Sequence, residues 1–240
     1  MGALFSEQFR LKPFLNLSLV AKLSTGKELQ GILYEMKTIG ILNGSFRTDG
    51  NTAGIVSWVV SRFDYVLKQS DEVRILVLDS TTAPLPLGPV IDMIPALVSP
   101  AALKEGKGYA SLKTQQWSQI VSSLSFLLVI TPQYNHGYPG ALKDAFDHLY
   151  HEWKGLPFTI FTLGGHGGGR CRLQLRQVLE EGLKMNPVSV GDVEIHLPHE
   201  FIRGMDRVGK ASADFLLEYE KVVDDTLVNI IATVEGLVES

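Results

Sequence analysis

Five apolar runs punctuate the chain, each bounded by turn or capping residues: TIGILNG (38–44), VRILVLD (73–79), FLLVITP (126–132), PFTIFTL (157–163) and DVEIHLP (192–198). Four of the five are near-continuous rather than alternating, the pattern of parallel strands covered on both faces. Between them, apolar positions recur at helical spacing. Residues 52–69 set Ile55, Val56, Val59, Val60, Phe63 and Val66 on one stripe. Residues 140–153 set Ala141, Leu142, Ala145, Phe146, Leu149 and Trp153 on another, and two further helical patterns cover 170–184 and 211–237.

Strands alternating with helices predict an α/β fold, a doubly wound parallel sheet with helices on both faces. Five strands suit the flavodoxin-like order 2-1-3-4-5. One long connection interrupts the alternation: residues 80–112 hold five of the eleven prolines. Loops of that length inside a compact domain are usually functional or mobile. The helix predicted over 140–153 carries Phe146, Leu149, Tyr150 and Trp153, more large apolar surface than one sheet face needs. That excess predicts a self-complementary contact between two copies of the chain.

Residues 1–36 read differently, with weak periodicity and scattered charges of both signs. They form an N-terminal extension, either poorly packed or an extra helix on the core, ahead of a domain spanning 37–240. Glu7, Glu28 and Glu35 argue against an acid-poor transit peptide.

Composition narrows the function. A formal charge of −4 offers no polycationic face, which speaks against nucleic acid or an anionic membrane as partner. The single cysteine, Cys171, cannot close an intrachain disulfide, so a reducing compartment is expected. The longest apolar stretches are too short to span a bilayer. The expectation is a soluble cytoplasmic protein.

In a parallel sheet the carboxyl ends of all strands share one edge, so the loops after strands 1, 3 and 4 should converge there. After strand 1, NGSFRTDGNTAG supplies the hydroxyls of Ser45 and Thr48, the forked cation of Arg47, and Asn51 or Thr52 to cap the next helix. Hydroxyls, an arginine and a helix N-terminus make a phosphate site. The G-x-G-x-x-G pattern is missing, so a terminal phosphate fits better than a dinucleotide pyrophosphate. After strand 3, Gln133, Tyr134 and Asn135 can offer backbone amides and an aromatic face to a planar heterocycle. After strand 4, LGGHGGGRC lets backbone approach a flat ligand closely. A phosphate on one side and an edge-bonded ring on the other describe a flavin mononucleotide.

NGSFR (43–47), TPQYNHGYPGALKDAFDHLYHEWKGLPFTIFTLGGHGGGRC (131–171) and QLRQVLEEGLKM (174–185) resemble the NADPH-dependent FMN reductase family, and within it the fungal flavodoxin-like quinone reductases. The resemblance covers roughly residues 37–200. It implies tightly held FMN, a homodimer that can pair again into a tetramer, and NADPH or NADH as electron donor. It also implies a two-electron ping-pong reaction with a quinone, free flavin or similar small-molecule acceptor. By the same resemblance Ser45 and Arg47 hold the phosphate, with Asn51 and Thr52 where the loop enters the helix. Pro132, Gln133, Tyr134 and Asn135 border the isoalloxazine, and Gly164, Gly165, His166 and Gly167 lie on its other side. Gln133 stands where many relatives carry Glu.

Hydride transfer between nicotinamide and flavin needs stacking and tuning rather than a general base. His136 and His166 are the candidate proton donors. Asp144, His148, His151 and Glu152 fall near one helical face, but not as H-E-x-x-H, and no metal is assigned. The same pocket would also serve a flavin-loaded redox sensor with little steady-state turnover.

Overall fold

The computed structural model describes residues 36–47, 50–67, 72–91, 94–105, 108–188, 191–209 and 213–236. The expected N-terminal extension, apart from Met36, lies outside the described residues. The sheet comprises β1 (Lys37–Asn43), β2 (Val73–Leu78), β3 (Phe126–Pro132), β4 (Pro157–Gly164), β5 (Asn186–Pro187) and β6 (Val193–His196). Its order is β2-β1-β3-β4-β5, with β6 also on β4 and every pairing parallel. Every residue of β3 is buried, as its unbroken apolar run requires of a central strand with helices on both faces.

The fifth predicted run, 192–198, holds β6, and the two-residue β5 ahead of it lies outside any predicted strand. Asn186 and Pro187 pair with the start of β4, and the ladder resumes at Val193 against Phe161. The first ladder runs one residue past Pro187, where the Val188 N–H donates to the Phe158 carbonyl at 3.3 Å.

Helices α1 (Asn51–Val66) and α7 (Glu220–Glu235) cover one face of the sheet. They pack Ile55, Val59, Phe63, Val223, Leu227 and Ile230 onto inward residues of β1 and β3. Arg62 ties them together, donating to Asp224 and Glu220. A 3-10 turn, Asp214–Tyr219, begins the 211–237 pattern, so α7 itself starts later than expected. The short α2 (Pro100–Lys104) lies within the 80–112 connection.

The other face is covered by α3 (Leu112–Ser122), α4 (Gly140–Asp147) and α5 (Gly169–Gln177). The apolar pattern missed α3 because two of its four buried positions are Thr114 and Ser118; with Trp117 and Val121 they keep helical spacing. α5 runs on into a π turn at Val178–Gly182. Past Pro198 a single helical turn, α6 (His199–Ile202), follows β6.

The predicted 140–153 helix stops at Asp147, and the chain resumes as a 3-10 turn over His151–Trp153. Phe146, Leu149 and Trp153 are at most 1 % exposed. The Trp153 ring sits 5.1 Å from Phe146 and 6.1 Å from Trp117. Its indole N–H donates to the Phe146 carbonyl, and that of Trp117 to the Ala145 carbonyl. The stripe that suggested a partner surface is therefore spent inside the subunit on α3, and only Tyr150 remains half-exposed.

Side chains around this break fasten the long connection. His148 Nε2 faces the Gly88 carbonyl at 3.0 Å and His151 Nε2 the Ala96 carbonyl at 3.2 Å; a carbonyl only accepts, so both nitrogens carry the proton. Glu152 accepts from Tyr109 and Ser118. Of the four residues read near one helical face, His148, His151 and Glu152 thus spend their side chains on these contacts.

Trp153→Ala is expected to lower unfolding free energy by about 3–5 kcal/mol, the range for emptying a fully buried indole site. Urea denaturation checks this: the midpoint should fall with little change in slope.

Candidate functional site

At the carboxyl edge, the loops after β1 and β3 touch. Ser45 is buried, its backbone N–H held by Asn43 Oδ1 at 3.1 Å. Its hydroxyl lies 2.9 Å from the Tyr134 hydroxyl. The exposed Arg47 lays its guanidinium over the Tyr134 ring, 4.1 Å from the centroid, a cation–π contact. The structure therefore brings together Ser45, Arg47 and Tyr134, three residues the sequence nominated from two separate loops.

Helix α1 begins beside them without a side-chain cap. Gly50 is its N-cap, and the first turn holds no acid. The expected capping by Asn51 or Thr52 does not occur. Asn51 Nδ2 instead donates to the Phe201 carbonyl (2.7 Å), and Asn51 Oδ1 accepts from Val208 N–H (3.0 Å). Thr52 is buried in the first turn. A helix start without a side-chain cap among the described residues, one guanidinium and two hydroxyls suit a doubly charged phosphate.

The loop after β3 is a tight hairpin. Tyr134 and Gly137 exchange both backbone bonds, at 2.8 and 3.0 Å. Asn135 and His136 form the exposed tip, with φ of 50° and 71°. Left-handed values at both central residues are the geometry of a type I′ turn. Pro132 ends β3 buried, and Gln133 turns away from the tip. Its N–H donates to the Leu163 carbonyl (2.9 Å), and its Oε1 accepts from Cys171 N–H (3.0 Å), near the start of α5. The Gln133 and Tyr134 amides expected to meet a ligand are thus already engaged within the chain.

In the loop after β4, Gly167 and Gly168 have φ of 72° and 91°, and Thr162 Oγ1 donates to the Gly167 carbonyl at 2.8 Å. These glycines serve the turn into α5 and the close passage of Glu194 and Thr162. Gly164 pairs with His196 and its carbonyl accepts from the Gly167 and Leu197 N–H groups, so Gly165 and His166 are the exposed stretch left to a ligand.

A charged network missed in the sequence steadies this loop. Asp192, whose side chain is 3 % exposed, accepts from Ile160 N–H, Thr159, Arg172 and Arg176. Arg172 also donates to Glu194. The signal was present: Asp192 and Glu194 alternate with apolar Val193 and Ile195, opposite basic residues spaced i and i+4 on the preceding helix. A separate cavity of about 660 Å³, lined by Met36, Thr38, Arg74 and Lys104 among others, opens at the amino ends of β1 and β2. None of the nominated residues reaches it.

The model of the NADPH-dependent FMN reductase family matches residues 36–200. The NAD(P)H-dependent FMN reductase LOT6 of Saccharomyces cerevisiae is 40 % identical over 161 residues, 67 % of this chain and 81 % of that protein. A quinone reductase of Escherichia coli is 41 % identical over 59 residues, 22 % of this chain and 31 % of that protein. Among solved structures, an oxidoreductase from Corynebacterium diphtheriae aligns over 86 % of this chain and all of its own, with a TM-score of 0.58 and 15 % identity. At that identity the likeness is one of fold.

Cys171 sits at the junction of two of these loops, fully buried with its sulfur 3.8 Å from the Pro132 carbonyl. Burial pushes its thiol up to about 12 from an ordinary 9.0. The native protein should therefore resist iodoacetamide at pH 8 and react once unfolded. The folded state holds this proton more tightly than the unfolded state. Its contribution to stability is complete below pH 9 and is lost as pH rises from 9 towards 12. A Cys171→Ser variant that loses as much stability between those values as the parent would refute the attribution.

Proposed function

The chain belongs to the NADPH-dependent FMN reductase family, and from that premise we propose that it passes two electrons from NAD(P)H through FMN to a quinone, a free flavin or a similar flat acceptor, in a ping-pong cycle. FMN is its cofactor and NAD(P)H its electron donor. In net terms, NAD(P)H and one proton reduce a quinone to the hydroquinone and leave NAD(P)+.

The observation that carries this reading is the cluster of Ser45, Arg47 and Tyr134 beside the start of α1. Arg47 supplies charge to the phosphate, the Ser45 and Tyr134 hydroxyls fix its orientation, and the first N–H groups of α1 face its oxygens. The Asn135–His136 tip and the exposed Gly165–His166 stretch offer backbone to the edges of the ring. When bound, FMN supplies the two-electron hydride chemistry, and the protein's own task is to orient the partners and exclude side reactions. The exposed His136 and His166, one on each loop, are placed to hand over the proton. The fragmentary likeness to a quinone reductase supports the choice of acceptor class.

A cytoplasmic setting is proposed on the single buried cysteine. No helix of the described residues is long and apolar enough to cross a membrane. The proposed homodimer finds support on a different surface from the buried stripe. Val90, Ile91, Ile94 and Leu97 stand exposed on the connection between β2 and α3, with Ile91 at 89 % and Leu97 at 73 %. An apolar run of that exposure suits a partner face.

Purified protein is expected to be yellow, with about one FMN per chain, to bleach with NADPH under argon and to recolour on adding a quinone. A protein that stays bleached with every quinone and flavin tried would instead be a sensor. Arg47→Ala should weaken FMN by about 1.5–3 kcal/mol while leaving riboflavin nearly unaffected; equal loss for both would remove Arg47 from the phosphate. Ile91→Asp combined with Leu97→Asp should give monomers in sedimentation, and a monomeric parent protein would end the dimer proposal.

A further inference from the structure

The segment after β6 lies across the edge where the candidate loops meet. Leu197 N–H donates to the Gly164 carbonyl at 2.9 Å, tying the segment's start to the glycine-rich loop. The two bonds of the Asn51 amide hold it again at Phe201 and Val208. The Phe201 ring packs 5.1 Å from Phe215, and Val208 is buried. Its carbonyl lies so close to α1 that any Cβ at Gly54 would overlap it. Residues 198–208 are thus a strap anchored to the helix that starts at the phosphate cluster and to the loop that borders the ring.

Between its anchors the strap turns apolar side chains outward. Ile202 is 46 % exposed and Met205 92 %, on a segment whose other exposed side chains include Glu200, Arg203 and Asp206. Among the described residues, the Ile202 Cδ1 is the atom that a Cβ at Gly165 would meet, at 2.8 Å. Gly165 belongs to the open stretch of the glycine-rich loop, so Ile202 is the side chain that partly roofs it.

We infer that this strap is the wall that sizes the flat acceptor, with Ile202 as its limiting side chain and Asn51 as the residue that positions it; the inference rests on the flavin reading of the site. An aromatic acceptor stacked on a flavin whose edge lies at Gly165 meets Ile202 at its rim, and a larger ring system reaches it sooner. Apolar contact of this kind discriminates by fit rather than by hydrogen bonding, so the discrimination is modest per group added. Asn51 acts through the strap: without its amide, the Phe201 carbonyl and Val208 N–H lose their shared anchor while Ser45 and Arg47 keep their contacts.

The test uses the oxidised FMN-loaded protein without NAD(P)H, so that quinones bind and do not react. Calorimetry with a one-ring and a three-ring quinone gives the ratio of their dissociation constants. Ile202→Ala should shift that ratio about tenfold towards the three-ring quinone, and Ile202→Trp should shift it the other way by a similar factor. Asn51→Ala should speed hydrogen exchange across 198–209 and move the ratio in the same direction as Ile202→Ala. Faster exchange with an unchanged ratio would mean that Asn51 merely stabilises the segment, and would overturn its positioning role. Holoprotein that binds both quinones with the same ratio in the parent and both Ile202 variants would overturn the inference while leaving the flavin reading intact. A parent protein that takes up no FMN would overturn both.

Discussion

Gln133 is the point on which the candidate site depends. Its backbone N–H extends the β3–β4 ladder by one bond to Leu163, and its side-chain oxygen accepts from Cys171 near the start of α5. One residue thus fixes two strand ends and a helix start relative to one another. With that junction set, the type I′ hairpin can leave β3 in only one direction, and that direction carries Tyr134 to Ser45 and Arg47. The loop after β4 is pinned from its other side by Asp192 and Glu194 through Arg172. A buried carboxylate in that position is tolerated because four donors satisfy it.

Most of the architecture was legible because a parallel sheet writes itself as unbroken apolar runs. β1 to β4 appeared within a residue or so of the runs that predicted them, and the strand order followed from their number and the helices between. What escaped did so for particular reasons. α3 buries Thr114 and Ser118, which an apolar count scores as surface. The 140–153 pattern kept helical spacing through a stretch where the backbone is not helical, since His148 to Tyr150 leave the helix while Leu149 and Trp153 still point inward. Pattern reads which side is buried; it does not read against what. That is why a stripe consumed by Trp117 inside the subunit resembled a surface waiting for a partner.

The candidate site was legible in its residue types and less so in their duties. Ser45, Arg47 and Tyr134 converge as expected. Gln133 and Asn51, each nominated to face a ligand, spend their amides on the protein itself: one holds two loops together, the other holds a strap. Side-chain amides combine a donor and an acceptor, so a loop built from them can bind a ligand or fasten its neighbours, and sequence alone does not separate the two. Among the glycines the division is similar. Gly167 and Gly168 answer to backbone conformation, Gly164 to the β4–β6 ladder, and Gly165 to the close approach of Ile202.

The burial of Cys171 bears on how a protein would survive the chemistry proposed for this one. Quinones are electrophiles that add to thiolates, and reduced flavins in air generate peroxide, which oxidises them. The only thiol of this chain adjoins the loops assigned to that chemistry, yet it is wholly enclosed, and its proton is held until about pH 12. A protonated, inaccessible sulfur is a poor target for either reagent. A catalyst of the proposed kind would therefore present no thiolate to its acceptor, and alkylation at sulfur would have to await unfolding.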